Sequence, residues 1–313
     1  MAGVEMMPGS EWLPKDRYLN TSSIGRLFSE MEMITLDPFE MYRVALELED
    51  PRTKDWFLMS SPFPTFFLVA LYMLIILLGP TLMKNRKEWD LQFVLFFYNF
   101  AMVGLSTYIA TEAFFGAQEV EYSWLCQPMI YSTHPGHMRV ANALWWYYFS
   151  KCIEFLDTIF FILRKKNNQI TFLHIYHHAT MFAIWWMGIA WVAATLGAIL
   201  NSIVHIVMYT YYGLSSFKGL RPFLWWKRYL TELQLAQFGS GVVLGAYTIG
   251  TNCNFPMWMQ FTFVTYAITF LILFGNFYYQ TYIKRRRPVK KVETNGQMAN
   301  KNGKVVSEIE ITE

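Results

Sequence analysis

Charge is scarce in this chain. Only 16% of its 313 residues are Asp, Glu, Lys or Arg, against about 25% in ordinary soluble domains. The 26 basic and 23 acidic residues leave a net charge of +3, too small to suggest a nucleic-acid partner. Three cysteines are too few for a disulfide scaffold. Histidine is sparse as well, with six residues. Residues 1–60 hold no apolar run of the cleavable kind after the first methionine. The first long apolar segment is therefore expected to act as an uncleaved signal anchor. No internal repeat is visible.

What is abundant is apolar surface: 54% of residues are hydrophobic and 19% aromatic. The pattern predicts an all-α polytopic membrane protein with about seven transmembrane helices, since a span needs about 20 mostly apolar residues. The expected spans are Thr65–Met83, Leu91–Thr111, Met138–Leu163, Ile170–Gly188, Ala198–Tyr212, Tyr229–Ile249 and Pro256–Tyr282. The third contains charges and the fifth is short. Residues 1–62 form a polar amino-terminal segment, with a short amphipathic helix expected around Pro38–Glu49. Residues 63–283 form the membrane domain. Residues 284–313, rich in Lys, Asn and Gly, read as a disordered tail.

Every second connection is basic: Lys84, Arg86 and Lys87; Arg164, Lys165 and Lys166; Lys218, Arg221, Lys227 and Arg228; then Lys284–Arg287. The connection between the second and third spans instead carries Glu112, Glu119 and Glu121. The positive-inside rule puts the basic side in the cytosol, the amino terminus in the lumen and the carboxyl terminus in the cytosol. The sequon Asn20-Thr21-Ser22 then lies on the side where glycosylation occurs. Cys126 and Cys253 fall on the oxidising side, either as a pair or as two unpaired loop thiols. Cys152, within the third span, reads as a packing residue.

Several spans carry polar residues where lipid is expected. The third holds Lys151, Glu154, Asp157 and Thr158. Each ionisable group at mid-membrane costs about 2.5–3.5 kcal/mol on insertion scales, and these three charges lie on one arc of roughly 120°. A Lys151–Glu154 ion pair locking helices together is the plain alternative to a functional role. The fourth span opens with His174, His177 and His178, a cluster that packing does not explain. The fifth carries Asn201, His205, Met208, Tyr209 and Tyr212 on one face. The sixth begins with Thr231, Gln234 and Gln237, where interhelical hydrogen bonding is a serious alternative. At about 1.5 Å per residue, Asp157, His177, His205 and Gln234 all lie roughly 8–12 Å below the cytosolic surface. One buried site open to the cytosol accounts for this common depth.

Clustered histidines raise the prospect of a metal, and a metal-dependent membrane lipid hydroxylase or hydrolase is the rival reading. Histidine-box di-iron enzymes need about eight histidines in several boxes. Here His134 and His137 fall on the non-cytosolic side, and His177 and His178 point about 100° apart. A lipid transporter built around a polar pocket is a third reading. Acyl chemistry uses the residues more fully. Imidazole serves as nucleophile or general base, Lys151 can bind an anion, and Asn201 with the glutamines can hydrogen-bond an enolate or thioester oxygen. Asp157 can hold a histidine in one tautomer. The basic connections suit a polyanionic head group such as coenzyme A.

Four motifs now stand in order: Lys151-x-x-Glu154-x-x-Asp157-Thr158, His174-x-x-His177-His178, His205-x-x-Met208-Tyr209-x-Tyr211-Tyr212 and Thr231-x-x-Gln234-x-x-Gln237. Over roughly residues 35–285 the chain resembles the very-long-chain fatty acid elongases, membrane condensing enzymes of the endoplasmic reticulum. The resemblance implies condensation of a long-chain acyl-CoA with malonyl-CoA to a 3-oxoacyl-CoA two carbons longer, with release of CO2 and CoA. It implies seven helices, six of them ringed around an acyl-chain tunnel.

By position, His177 would carry the acyl group as an acyl-imidazole and His205 would assist the second half-reaction. His174, His178, Lys151, Asp157 and Asn201 would orient these groups. Glu154, Thr158, Tyr209, Tyr212, Gln234, Gln237, Arg164 and Lys165 would line the substrate path. Cys126 and Cys253 match a luminal disulfide of similar members. No cofactor and no metal are implied, since CoA thioesters enter as substrates. Membrane lipid and the reductases and dehydratase of the elongation cycle are the implied partners, and a homo-oligomer is compatible. The segments Arg164-Lys165-Lys166-Asn167-Asn168-Gln169 and Leu224–Thr231 resemble the branch handling polyunsaturated and very-long-chain substrates. One departure stands out: the chain ends Glu308-Ile309-Glu310-Ile311-Thr312-Glu313, where members often carry a dilysine retrieval signal.

Overall fold

The computed structural model describes residues 50–127, 130–190, 195–251, 253 and 257–284. The Asn20 sequon, the amphipathic helix expected around Pro38–Glu49, Pro256 and the tail beyond Lys284 lie outside the described residues. Among those residues every regular element is helical: α1 Phe63–Met83, α2 Gln92–Glu119, α3 Pro135–Ile153, α4 Phe155–Leu163, α5 Phe172–Ala190, α6 Thr195–Ser215, α7 Lys227–Gly250 and α8 Met257–Tyr278. A π turn, Tyr279–Ile283, continues α8. Among the described residues, three helical stretches are long and apolar enough to cross a membrane: Phe63–Met83, Gln92–Glu119 and Met259–Ile283. α4, with nine residues, is too short to cross alone, and polar residues interrupt the apolar runs of α3, α5, α6 and α7.

Local chemistry explains several boundaries. α3 starts with proline at a position whose backbone N–H would go unmet anyway, and His134 caps it by accepting from the Gly136 N–H at 3.2 Å. α2 runs two turns beyond the expected end at Thr111, because Glu112 and Glu119 are not loop residues. Both carboxylates hold Arg139 of α3, at 2.9 and 3.2 Å. The third expected span is interrupted: α3 stops at Ile153 and α4 starts at Phe155, joined through a tight turn at Glu154. The interruption puts Lys151 in the last turn of one helix and Asp157 in the first turn of the next. Each charge thus complements the dipole of its own helix. The expected short fifth span is instead a 21-residue helix, α6.

The helices form a circuit. α2 packs on α3 and α6, α6 on α7, α7 on α8, α8 on α5, and α5 on α3. α1 stays outside, against α4 and α5. Small residues permit the closest approaches, as in membrane helix pairs generally. A Cβ on Gly116 of α2 would stand 2.9 Å from the Gly136 carbonyl oxygen, and one on Gly213 of α6 would stand 2.8 Å from the Phe100 ring.

The connections sort to two ends. Lys165 Nζ donates to the Lys84 carbonyl at 3.1 Å, and the Trp89 N–H donates to the Leu163 carbonyl at 3.0 Å. Burial and the nearby Arg221 guanidinium draw Arg164 below the usual arginine range, with Asp90 and Glu88 opposing. The basic connections therefore share one end. At the other end Cys126 and Cys253 are joined in a disulfide, and Arg52 Nη1 donates to the Ser132 carbonyl at 2.6 Å.

Candidate active site

The site begins at the α3–α4 turn. Lys151 and Glu154 are each 1% exposed, and Lys151 Nζ donates to Glu154 Oε1 at 2.8 Å. Removing two charges from solvent is costly unless both are paired and hydrogen-bonded. Here the pairing extends across helices. Lys151 Nζ also donates to Asn201 Oδ1 of α6 at 3.2 Å, and Tyr147 OH donates to the same oxygen at 2.8 Å. His205 Nδ1 of α6 stands 3.3 Å from Glu154 Oε1. The ammonium also sits 4.5 Å above the Tyr147 ring, in cation–π range.

Asp157 faces the same helix one turn on, where Tyr209 OH donates to its Oδ2 at 3.0 Å. The sequence allowed Asp157 to hold a histidine; the carboxylate beside a histidine is Glu154, and Asp157 is held by a tyrosine. Tyr98 of α2 packs edge-on against Tyr209, centroids 6.2 Å apart, and donates to the Ile153 carbonyl at 3.4 Å.

The histidines of α5 meet α4 at Thr158, the residue after Asp157. Thr158 Oγ1 lies 2.7 Å from His174 Nε2 and 3.0 Å from Tyr72 OH of α1. The His174 and His178 rings are 4.3 Å apart, and those of His178 and His177 are 5.1 Å apart. His177 also meets Phe270 and Phe274 of α8, at 5.4 and 6.5 Å. The two halves are bridged by Tyr147, whose ring centroid lies 4.4 Å from that of Trp185 on α5. Among the described residues, no three His, Cys, Asp or Glu side chains converge as a metal-ligand set.

Other expected site residues lie further out. Gln234 Nε2 of α7 donates to Met208 Sδ at 3.6 Å. Gln237 Oε1 is buried without a protein partner, as is His178 Nδ1. Tyr212 is exposed and touches Tyr209 only at ring level, centroids 6.2 Å apart. Arg164 is half-buried and Lys165 exposed at the basic end. His134 and His137 lie at the opposite end, where His137 Nδ1 is 3.1 Å from Tyr122 OH.

Three site residues escaped the sequence reading: Tyr72, Tyr98 and Tyr147. In so aromatic a chain they look like packing. Tyr147 alone left a signal, one helical turn before Lys151 on the same face.

The comparisons agree on one family. The profile described as "ELO: GNS1/SUR4 family" matches residues 57–290. Very long chain fatty acid elongase 4 of Mus musculus is 46% identical over 284 residues, covering 89% of this chain and 91% of the relative. Elongase 5 of Rattus norvegicus is 46% identical over 270 residues, covering 84% and 90%. Elongase 2 of Mus musculus is 48% identical over 245 residues, covering 77% and 83%.

Proposed function

Because the chain belongs to the ELO: GNS1/SUR4 family, we propose that it is the condensing enzyme of fatty acid elongation, a 3-oxoacyl-CoA synthase. The observation that carries this reading is the cluster of half-buried His174 and His177 with buried His178, together with the buried Lys151–Glu154–Asn201–His205 network. It offers a nucleophile next to a cation and an amide, in surroundings too apolar to tolerate them for packing alone.

The reaction proceeds in two halves. A His177 ring nitrogen attacks the thioester carbonyl of a long-chain acyl-CoA. The C–S bond breaks, CoA leaves as the thiol with the ring proton, and the acyl group remains on nitrogen. Malonyl-CoA then loses CO2, and the electron pair of the broken C–C bond forms an enolate. Its α-carbon attacks the acyl carbonyl, the C–N bond breaks and the imidazole takes up a proton. The sum is acyl-CoA, malonyl-CoA and a proton to 3-oxoacyl-CoA, CO2 and CoA.

His205, Asn201 and Lys151 serve as donors to the malonyl carboxylate and the enolate oxygen in this reading. Glu154 holds Lys151 and His205 in place. His178 Nδ1 and Gln237 Oε1, buried without protein partners, are left for bound substrate. Exclusion of water by the helix circuit protects the acyl-imidazole from hydrolysis.

In this reading the bundle spans the endoplasmic reticulum membrane seven times, counting α3 and α4 as one span. The basic end and the carboxyl terminus are cytosolic, and the amino terminus is luminal. The circuit encloses the acyl tunnel, and the basic connections, Arg164 and Lys165 among them, receive the CoA phosphates. The substrates are polyunsaturated and very-long-chain acyl-CoAs, and the product passes to the reductases and dehydratase of the cycle.

Incubation of the purified protein with acyl-CoA alone tests the mechanism. The expected result is release of one equivalent of CoA with the acyl group on His177 by peptide mass spectrometry, lost in His177→Ala. An acyl group on Cys152 instead would overturn the nucleophile assignment.

A further inference from the structure

Tyr72 belongs to α1, the helix outside the circuit, and to none of the four motifs. Yet it is 2% exposed, and its hydroxyl lies 3.0 Å from Thr158 Oγ1, which lies 2.7 Å from His174 Nε2. The Tyr72 ring is clamped by stacking on Phe155 of α4, centroids 4.2 Å apart and planes 12° from parallel. α1 approaches α4 closely again about two turns further along, where a Cβ on Gly79 would meet Ile162 at 2.9 Å. Thr158 differs from several other helical threonines. Thr107, Thr111, Thr180 and Thr210 turn their hydroxyls back to the carbonyl four residues earlier. Thr158 points its hydroxyl away from its own backbone, between Tyr72 and His174.

Donor bookkeeping gives this chain a direction. Each hydroxyl has one proton to donate. If His174 donated to Thr158 and Thr158 to Tyr72, the Tyr72 proton would be left without an acceptor in a buried position. The opposite direction, Tyr72 O–H to Thr158 Oγ1 and Thr158 O–H to His174 Nε2, satisfies both hydroxyls. His174 Nε2 is then an acceptor, and its ring proton sits on Nδ1.

We propose that Tyr72 is a positioning residue: through Thr158 it holds His174 in the Nδ1–H tautomer and in one ring orientation. This rests on the condensing-enzyme reading. The consequence reaches the nucleophile by contact, because the His174 ring packs on His178 and His178 on His177. A flip of His174 would loosen the wall that aims His177. It also gives α1 a task in turnover, since this helix contributes no group to the reacting atoms.

The test uses full-length protein in lipid nanodiscs. Tyr72→Phe removes the proton donor and keeps the stacked ring. The expected result is a fall in kcat of about tenfold, the scale on which outer-shell partners act, with KM for both thioesters within about twofold and the thermal midpoint unchanged. Thr158→Ser should retain activity. Thr158→Val should lose it, and Tyr72→Phe added to Thr158→Val should lose no more.

Nitrogen NMR of labelled histidine provides a readout that a merely structural role would not move. His174 should be a single Nδ1–H tautomer in the wild type and a mixture in Tyr72→Phe. Wild-type kcat in Tyr72→Phe, or a loss of kcat with the His174 tautomer unchanged, would overturn the proposal. Acyl capture on wild-type His177, run alongside, separates the two ideas. If that capture fails while the tautomer and kcat respond to Tyr72→Phe, the nucleophile assignment falls and the relay stands.

Discussion

Lys151 and Glu154 illustrate how far a residue's role depends on its neighbours. Either charge alone at this depth is costly; together, with Asn201 and His205 beside them, each has a partner. Lys151→Met should therefore cost about 3–5 kcal/mol by stranding Glu154. The double variant Lys151→Met with Glu154→Leu should be more stable than either single change, while remaining inactive. Thermal unfolding in detergent checks the first claim and a condensation assay the second. The sequence exposed these positions because charge in an apolar run is conspicuous. It concealed Tyr72, Tyr98 and Tyr147, because tyrosine in a chain with 19 of them carries no such contrast until its hydroxyl has a visible partner.

At the scale of elements, hydropathy located the helices well and their limits less well. It ended the second at Thr111, since glutamates usually mark an end. Arg139 lies 27 residues away along the chain from Glu112, and that partner lets α2 continue. Hydropathy also ran α3 and α4 together, because an apolar count does not register one tightened turn. Helix seams are set by small residues, and the glycines of α2 differ sharply. Gly116→Val should destabilise by about 1–3 kcal/mol through overpacking, because its neighbour is the Gly136 backbone, which has little room to give. Gly104 has nothing within 4 Å of an added Cβ, so Gly104→Ala should stabilise by up to about 1 kcal/mol through helix propensity. Thermal midpoints of the two variants should move in opposite directions.

For the whole molecule, the disulfide and the circuit act together. Cys126 and Cys253 are 127 residues apart in sequence, and their bond ties the α2–α3 connection to the α7–α8 connection, the two sides of the ring. The chain-entropy model gives about 4–5 kcal/mol for closing so long a loop. Cys126→Ser and Cys253→Ser should each lower the thermal midpoint, and combining them should add nothing. A reductant should lower the wild type to the same value and leave the variants unmoved.

Sequence alone determined that the chain is helical and apolar, that its basic connections alternate, and that four motifs carry buried polar chemistry. Those properties follow from composition and period, which are local. Tertiary structure decided which carboxylate meets which partner, Glu154 beside His205 and Asp157 beside Tyr209, and it brought Tyr72 of the outer helix to Thr158. These depend on the rotation and spacing of helices far apart in the chain, set by side-chain packing across the seams, and no single helix encodes them.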